Sequence, residues 1–271
     1  ETAMKLVVRR VSLLLAVLQL LATASCKPTQ EPAAIPTAEP NALRAASVNP
    51  TPLEIAFGRG NPTEVVPVIE QTWEKQYEEY FRRSFPDASI TAKDVADTLN
   101  RIATQTGTKP ALIYVVPQKQ HLELVLITPG NPPIHKRISA ANKEALLQEV
   151  KELSKTVTDP NQRNTTNYLP PAQQLYQWMV APVEPELQTQ GIDTLIFCMG
   201  AGLRTLPLAV LQDGQKFLAE KYSLTRIPAF KLTDTIYGDL RNSQVLAMGA
   251  SEFKEQQPLP AVPVELSAIA Q

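Results

Sequence analysis

The stretch DTLIFCMGAGLRTLPLAVLQDG, residues 193–214, decides the fold of this chain. Residues 195–199 are apolar and uncharged and run into a glycine turn at Gly200, which is typical of a buried strand that ends in a tight loop. More apolar residues follow, interrupted by Pro207 and closed by the turn pair at 213–214. The stretch therefore predicts a buried strand, a compact turn and a hairpin, and any function of the chain is expected to be anchored there.

Length, composition and charge exclude several classes of function. With 271 residues, 44% of them hydrophobic, the chain can bury one large or two small cores. A net charge of −1 gives no indication of a nucleic-acid partner. Two cysteines and two histidines are too few for a four-ligand zinc site at the usual spacings, so neither a metal nor another cofactor is expected.

Residues 1–26 are predicted to be an export signal. From Met4 onward the order is cationic, then apolar, then small, and the apolar run is too short to span ~30 Å of hydrocarbon as a mature helix. An Ala-Thr-Ala sequence near its end has the form that signal peptidase accepts. The residues up to Cys26 also resemble a bacterial lipobox with Cys26 as the lipid attachment site, although Thr23 stands where leucine is usual. A periplasmic or cell-envelope lipoprotein, a free secreted protein and an uncleaved membrane anchor all stay open.

Residues 27–67 are predicted to be a proline-rich disordered tether. Prolines recur here at positions 28, 32, 36 and 40, and alanine, threonine and glutamate fill the gaps. Proline fixes φ and removes a backbone donor, so a semi-extended spacer is expected between the export signal and a folded body.

Residues 68–166 are predicted to form a helical and strand preface to the central stretch. One helix begins after Pro67 and a second at Thr91, each with an apolar face. The strand patterns cover residues 111–116, 122–128 and 134–138. Their brief connections favour an antiparallel meander, after which a helix opens at Ser139.

Three features of the sequence contain residue types that are common in catalytic or binding sites. His121 and His135 have no nucleophile near them in sequence, and both are predicted to be surface histidines. Cys198, inside an apolar run, is predicted to be a buried and inert thiol. The glycines at 200 and 202 follow a strand as in a dinucleotide turn, but the third glycine is missing and Pro207 interrupts the helix that such a turn requires, so no nucleotide site is predicted.

Residues 168–179, YLPPAQQLYQWM, followed by residues 192–214, resemble the start of a CHAT domain, a bacterial caspase-like domain found with tetratricopeptide repeats. The pattern continues as LAEKYSL at 218–224, Ile-Pro at 227–228, VLAMGAS at 245–251 and LPAVPVEL at 259–266. Each piece alone is weak, whereas the pieces in this order are specific. The resemblance covers residues 111–271 and is best after residue 167.

The resemblance implies an incomplete caspase-like three-layer α/β domain over residues 167–271, in a family of cysteine peptidases that use a His–Cys dyad. The family's histidine and cysteine follow later strands in His-Gly and Ser-Ala-Cys-type motifs, neither of which is present here. Cys198 lies on an earlier strand and does not match, so no catalytic residue is predicted. The residues that do match are expected to be structural: Leu203, Arg204, Leu206, Pro207, Asp213, Gly214, Tyr222, Pro260 and Glu265.

The C-terminal residues suggest an unfinished unit. Residues 245–248 are predicted to be an uncharged strand buried in a parallel sheet, and a helix begins near Val264. Because a parallel strand needs a crossover and a further strand, the chain is predicted to be the N-terminal part of an exported CHAT-domain protein. A peptide or protein partner is expected. The alternative is a non-catalytic, membrane-tethered interaction module of the same fold.

Overall fold

A five-stranded mixed sheet forms the centre of the structure. The computed structural model describes residues 50–86, 88–162, 164–236, 238, 244 and 246–269. The strands are β1 (Pro110–Pro117), β2 (Leu122–Ile127), β3 (Ile134–Ile138), β4 (Thr194–Met199) and β5 (Ser223–Ile227). They lie in the order β3-β2-β1-β4-β5. Strands β1, β2 and β3 form the antiparallel meander that the sequence predicts, whereas β4 pairs with β1, and β5 with β4, in parallel.

Helices cover both faces of this sheet. On one face lie α1 (Pro52–Gly58), α2 (Pro62–Phe81) and α3 (Ala92–Thr106), and on the other lie α4 (Lys143–Thr158), α5 (Leu169–Met179) and α6 (Glu184–Thr189). Two further helices are α7 (Leu218–Lys221) and α8 (Val262–Ile269), and single 3-10 turns occur at Pro160–Gln162, Leu208–Val210 and Phe230–Leu232.

Alternation along β1 explains why the sheet needs both helical layers. Ala111, Ile113 and Val115 pack into the core beneath α4, α5 and α6, while Leu112 and Tyr114 pack beneath α1, α2 and α3. Successive strand residues point to opposite faces, so a strand buried on both sides must be almost continuously apolar. The three-layer arrangement is consistent with the caspase-like α/β fold that the sequence predicts.

Helix begins earlier than the sequence predicts. Part of the predicted tether, residues 52–58 and 62–67, is helical. Thr51 and Glu54 form a reciprocal capping box, and Asn61 accepts a hydrogen bond from the Thr63 backbone N–H at 3.1 Å. In both helices proline occupies the first turn, where its missing N–H costs nothing. The rest of the predicted tether and the export signal with Cys26 lie outside the described residues.

The strand predicted at 245–248 is wrong for the residues that are described. Leu246 and Met248 belong to no strand and are about four-fifths exposed, at 82% and 80%. An apolar run becomes a buried strand only where a neighbouring strand and covering layers receive it, and the described part of the sheet ends at β5. The helix expected near Val264 is present as α8.

Within the described ranges, the helices are all too short or too polar to cross a lipid bilayer.

Candidate functional site

The loop after β4 is built around two glycines that approach other backbone and side-chain atoms closely. A Cβ on Gly200 would lie 2.8 Å from Pro117 Cδ, at the end of β1. A Cβ on Gly202, whose φ is +89°, would lie 2.5 Å from Leu147 Cδ2 of α4. At Gly202 only glycine meets both the positive φ and the lack of space. The glycine turn predicted from the sequence is present, and it packs tightly against the end of β1 and against α4.

Two arginines hold the segment after this turn. The Arg204 side chain donates to Met199 O at 3.3 Å and to Gln76 Oε1 of α2 at 2.8 Å, and its guanidinium lies 4.6 Å from the centre of the Tyr77 ring. Arg226 of β5 donates to the carbonyls of Arg204 and Leu206. Leu206, like the neighbouring Leu203, is fully buried. Residues 203–206, which we call the Leu-Arg-x-Leu motif, are therefore bound to α2 through the Arg204 side chain and to β5 through Arg226.

The turn at 213–214 is fixed by a cluster of charged side chains around Lys221. The Asp213 carboxylate accepts from the backbone N–H groups of Gln215 and Lys216 at 2.8 and 2.7 Å. Its second oxygen accepts from Lys221 Nζ at 2.8 Å. Lys221 also donates to Glu184 of α6 and to the Tyr176 hydroxyl of α5, the latter at 2.7 Å.

The same cluster shifts the pKa values of its members. Backbone hydrogen bonds, chiefly from Lys216, and the Lys221 ammonium lower the pKa of Asp213 to about 2. Burial alone would lower the pKa of Lys221, but its hydrogen bonds to Asp213, Glu184 and Tyr176 outweigh burial and raise it. Both groups are thereby held in their charged forms at neutral pH.

The other residues that match the CHAT pattern differ in their structural roles and in their burial. Pro207 precedes the 3-10 turn at Leu208–Val210, and Gly214 supplies a φ of +103° at the hairpin turn. Tyr222 is 8% exposed, and its ring centre lies 6.0 Å from Lys221 Nζ. By contrast, Pro260 and Glu265 are exposed; Pro260 lies two residues before α8, and Glu265 lies in the first turn of α8.

Glu70 of α2 is a buried carboxylate that the sequence analysis missed. It is 1% exposed and accepts from the Tyr114 hydroxyl at 2.8 Å, the Phe230 N–H at 3.0 Å and the Lys231 N–H at 2.9 Å. One turn further along α2, Glu74 Oε2 accepts from Lys231 Nζ at 2.6 Å. The chain that leaves β5 is therefore pinned to α2 by two glutamates.

Cys198 is the buried thiol that the sequence predicts. It is fully buried in β4, and its sulfur donates to Pro228 O at 3.6 Å. Burial first, and then the nearby Glu70 carboxylate, raise the pKa of the thiol well above its ordinary value. Because the nucleophilic species is the thiolate, this cysteine is inert at neutral pH.

The two histidines are not the surface residues that the sequence predicts. Their side chains are only 23% and 20% exposed, and both contact Glu123, a fully buried residue of β2. His121 Nε2 lies 2.9 Å from Glu123 Oε1, and His135 Nε2 lies 2.7 Å from Oε2. Arg137 adds contacts to Oε1 of 2.8 Å from Nε and 2.7 Å from Nη2. A carboxylate buried in an apolar strand needs hydrogen-bonding or charged partners. The two histidines are partly buried because they are among these partners.

Two of these partners, His135 and Arg137, also account for the charge of this carboxylate. Burial would raise the pKa of Glu123, but hydrogen bonds from His135 and Arg137 outweigh burial and hold the pKa below its ordinary value. Each histidine is thereby oriented by a carboxylate. In the described ranges, no group of three or more His, Cys, Asp or Glu side chains could hold a metal ion.

The register of the sheet separates His135 from Cys198. Cys198 pairs with Tyr114, Tyr114 with Val125, and Val125 with His135, so the four residues form one row across four strands. At about 4.8 Å per strand, His135 lies roughly 14 Å from Cys198. Tyr114 and Val125 fill the space between them. Among the described residues, the register therefore keeps His135 and Cys198 too far apart to act as a catalytic pair.

A cleft of about 680 Å³ opens where β5 ends and the chain passes α2. We call it the carboxyl-edge cleft. It is lined by Tyr77, Phe81, Phe85, Pro86, Ala88, Pro228, Lys231, Leu232, Thr233 and Asp234. Ligands of α/β proteins commonly bind beyond the carboxyl ends of parallel strands, and apolar walls with a few polar groups suit an organic ligand. The sequence predicts its aromatic residues on α2 as a packed helix face, with a sugar or partner platform as the alternative.

Comparison with known families agrees with the resemblance seen in the sequence. Residues 169–271 match the family model of the CHAT domain. No curated protein matches the chain. The match covers α5 to α8, including β4 and β5, and thus contains the glycine turn, the Leu-Arg-x-Leu motif and the Lys221 cluster. Residues 169–271 are thus similar to the CHAT domain, and the mixed α/β sheet is consistent with a caspase-like fold.

Proposed function

We propose that this chain is the N-terminal portion of an exported, caspase-like CHAT-domain protein and that it recognises peptide or protein without cleaving it. The observation that carries the proposal is the separation of the buried Cys198 thiol from His135. A thiol in a fully buried strand, roughly 14 Å from a histidine that is itself held by Glu123, cannot attack a carbonyl.

Peptide hydrolysis by the full chain tests the absence of catalysis. Wild type, Cys198→Ala and His135→Ala are incubated with fluorogenic peptides that carry varied residues before the scissile bond. We expect no turnover from any of them. Turnover by the wild type that either substitution abolishes would contradict the proposal.

A longer parent with peptidase activity makes a separate prediction at the level of the gene. The coding sequence downstream of the Gln271 codon should encode a His-Gly motif after one strand pattern and a cysteine after the next. An open reading frame lacking either motif would favour the alternative, a non-catalytic interaction module of the same fold.

Recognition of peptides is supported by the carboxyl-edge cleft, whose aromatic lining is open to an apolar side chain. Binding of fluorescently labelled apolar tetrapeptides to the full chain can be followed by anisotropy. Phe81 lines the cleft and is 58% exposed, so Phe81→Ala should weaken binding without disturbing the fold. Tyr80→Ala is the matched control, because Tyr80 lies on the same helix, is 79% exposed and does not line the cleft. Equal binding by the Phe81 variant and the wild type would remove the cleft from the recognition site.

A further inference from the structure

A second, smaller cavity adjoins the carboxyl-edge cleft. Its volume is about 160 Å³, and it lies between α2 and the loop that leads to α3. It is lined by Pro67, Val68, Glu70, Gln71, Glu74, Ala88, Ser89, Ile90 and Lys231. Ala88 and Lys231 line both the cavity and the cleft, so the two spaces are neighbours. We call this cavity the glutamate pocket.

The glutamate pocket contains more negative charge than its own residues neutralise. Glu70 and Glu74 contribute two carboxylates, and Lys231 contributes one ammonium. Glu70 is satisfied by a hydroxyl and two backbone N–H groups. The Glu74 side chain is 9% exposed, and its Oε2 binds Lys231, but its Oε1 has no hydrogen-bond partner among the described residues. A carboxylate oxygen buried without a donor is costly, so a donor that enters the pocket and reaches this oxygen would be stabilised by it.

We infer that the glutamate pocket binds the cationic end of a basic side chain while the apolar part of the same ligand lies in the carboxyl-edge cleft. The ligand class is a peptide in which lysine or arginine adjoins a large apolar residue. An ammonium or guanidinium supplies both the missing positive charge and a donor for Glu74 Oε1. All the carboxylates of the pocket come from α2, outside the segment that matches the CHAT family.

The inference rests on the proposed recognition function and specifies its ligand. The test measures binding of two dipeptide amides, acetyl-Phe-Lys and acetyl-Phe-norleucine, to the isotopically labelled full chain by NMR titration. The two peptides share their apolar part and differ in the ammonium. A charge-assisted hydrogen bond to a buried group corresponds to about a tenfold difference in Kd, so the lysine peptide should bind about tenfold more tightly.

Two test substitutions, Glu74→Gln and Lys231→Met, and one control, Glu79→Gln, locate the preference. Glu74→Gln should remove the preference for lysine, whereas Glu79→Gln, which removes an exposed charge from the same helix, should leave it intact. Lys231→Met frees both oxygens of Glu74 and should tighten binding of the lysine peptide. A purely structural role for the Lys231–Glu74 pair predicts the reverse, namely weaker binding.

The outcomes separate this inference from the proposed function. If both peptides bind the wild type equally, the cleft recognises apolar residues but the glutamate pocket does not select a cation, and the inference is overturned. It is likewise overturned if Lys231→Met weakens binding of the lysine peptide, or if Glu79→Gln abolishes the preference. If neither peptide binds, recognition at the cleft fails together with the inference.

Discussion

Lys221→Met should destabilise the protein far more than the loss of one ordinary ion pair. Lys221 Nζ contacts the Asp213 carboxylate at 2.8 Å, the Tyr176 hydroxyl at 2.7 Å and Glu184. Methionine keeps most of the side-chain volume but removes the ammonium. Two carboxylates, with side chains only 23% and 15% exposed, would then face each other without a cation.

The magnitude follows from this partial burial. Removing one member of a buried ion pair lowers the free energy of unfolding by about 3–5 kcal/mol. Because this cluster is partly exposed to solvent, we expect the lower end of that range, about 3 kcal/mol. For a domain of this size, 1 kcal/mol corresponds to about 2–4 °C in Tm, so a decrease of roughly 6–12 °C is expected. Part of this loss should return when Asp213→Asn and Glu184→Gln are added, because the repulsion is then removed.

Urea denaturation of the full chain, followed by circular dichroism, measures the effect. Lys93→Met is the matched control: Lys93 pairs with Asp97 at a solvent-exposed position of α3, with side chains 80% and 59% exposed. Exposed pairs contribute little, so the control should denature like the wild type. If Lys221→Met lost less than about 1 kcal/mol, or no more than Lys93→Met, the cluster would not be what fixes the turn and α7.

Three further predictions concern the same part of the sheet. Because the pKa of Asp213 is about 2 in the folded protein, below its ordinary value, its carboxylate stabilises the fold above about pH 4 and this stability is lost as the pH falls towards 2. The difference in urea midpoint between wild type and Asp213→Asn should therefore shrink between pH 6 and pH 3, and a constant difference would contradict the assignment. Gly202→Ala should cost about 1–3 kcal/mol by thermal denaturation, because it adds both strain and a clash with α4. Gly60→Ala has a positive φ but open space, so equal losses in the two variants would rule out the clash. In a Cys26→Ser background, a thiol reagent should modify Cys198 only when the protein is unfolded, and rapid labelling of the native protein would show that the thiol is accessible.

The buried strands could be predicted from the sequence because each strand's own residues indicate its burial. A strand covered on both faces has to be apolar at nearly every position, and residues 195–199 show this without reference to any distant residue. The antiparallel meander could also be predicted locally. Short connections allow adjacent strands to pair antiparallel, whereas parallel pairing needs a long crossover. The burial of Cys198 could be predicted in the same way, because the residues next to it in the strand are apolar.

The polar contacts could not be predicted, because they depend on register and on distant segments. Glu123 meets His135 and Arg137 only through the pairing of β2 with β3, and Glu70 meets Lys231 from 161 positions away. One signal was present: Glu123 is the sole charged residue in β2, and a lone acid in an apolar strand requires partners. The opposite error occurred at 246–248, where apolar character did not lead to burial.

The parallel pairing of β1 with β4 has a consequence for how the protein is synthesised. The hydrogen bond between Lys109 and Asp193, at the start of these strands, joins residues 84 positions apart. At about 5–20 residues per second, a ribosome needs about 4–17 s to produce the second strand after the first. Once residue 138 has been made the meander is complete, but one edge of β1, a strand buried along almost its whole length, still has no partner. The nascent chain thus carries an open, apolar sheet edge that can pair with other chains, and protection of that edge until β4 arrives is part of folding this protein correctly.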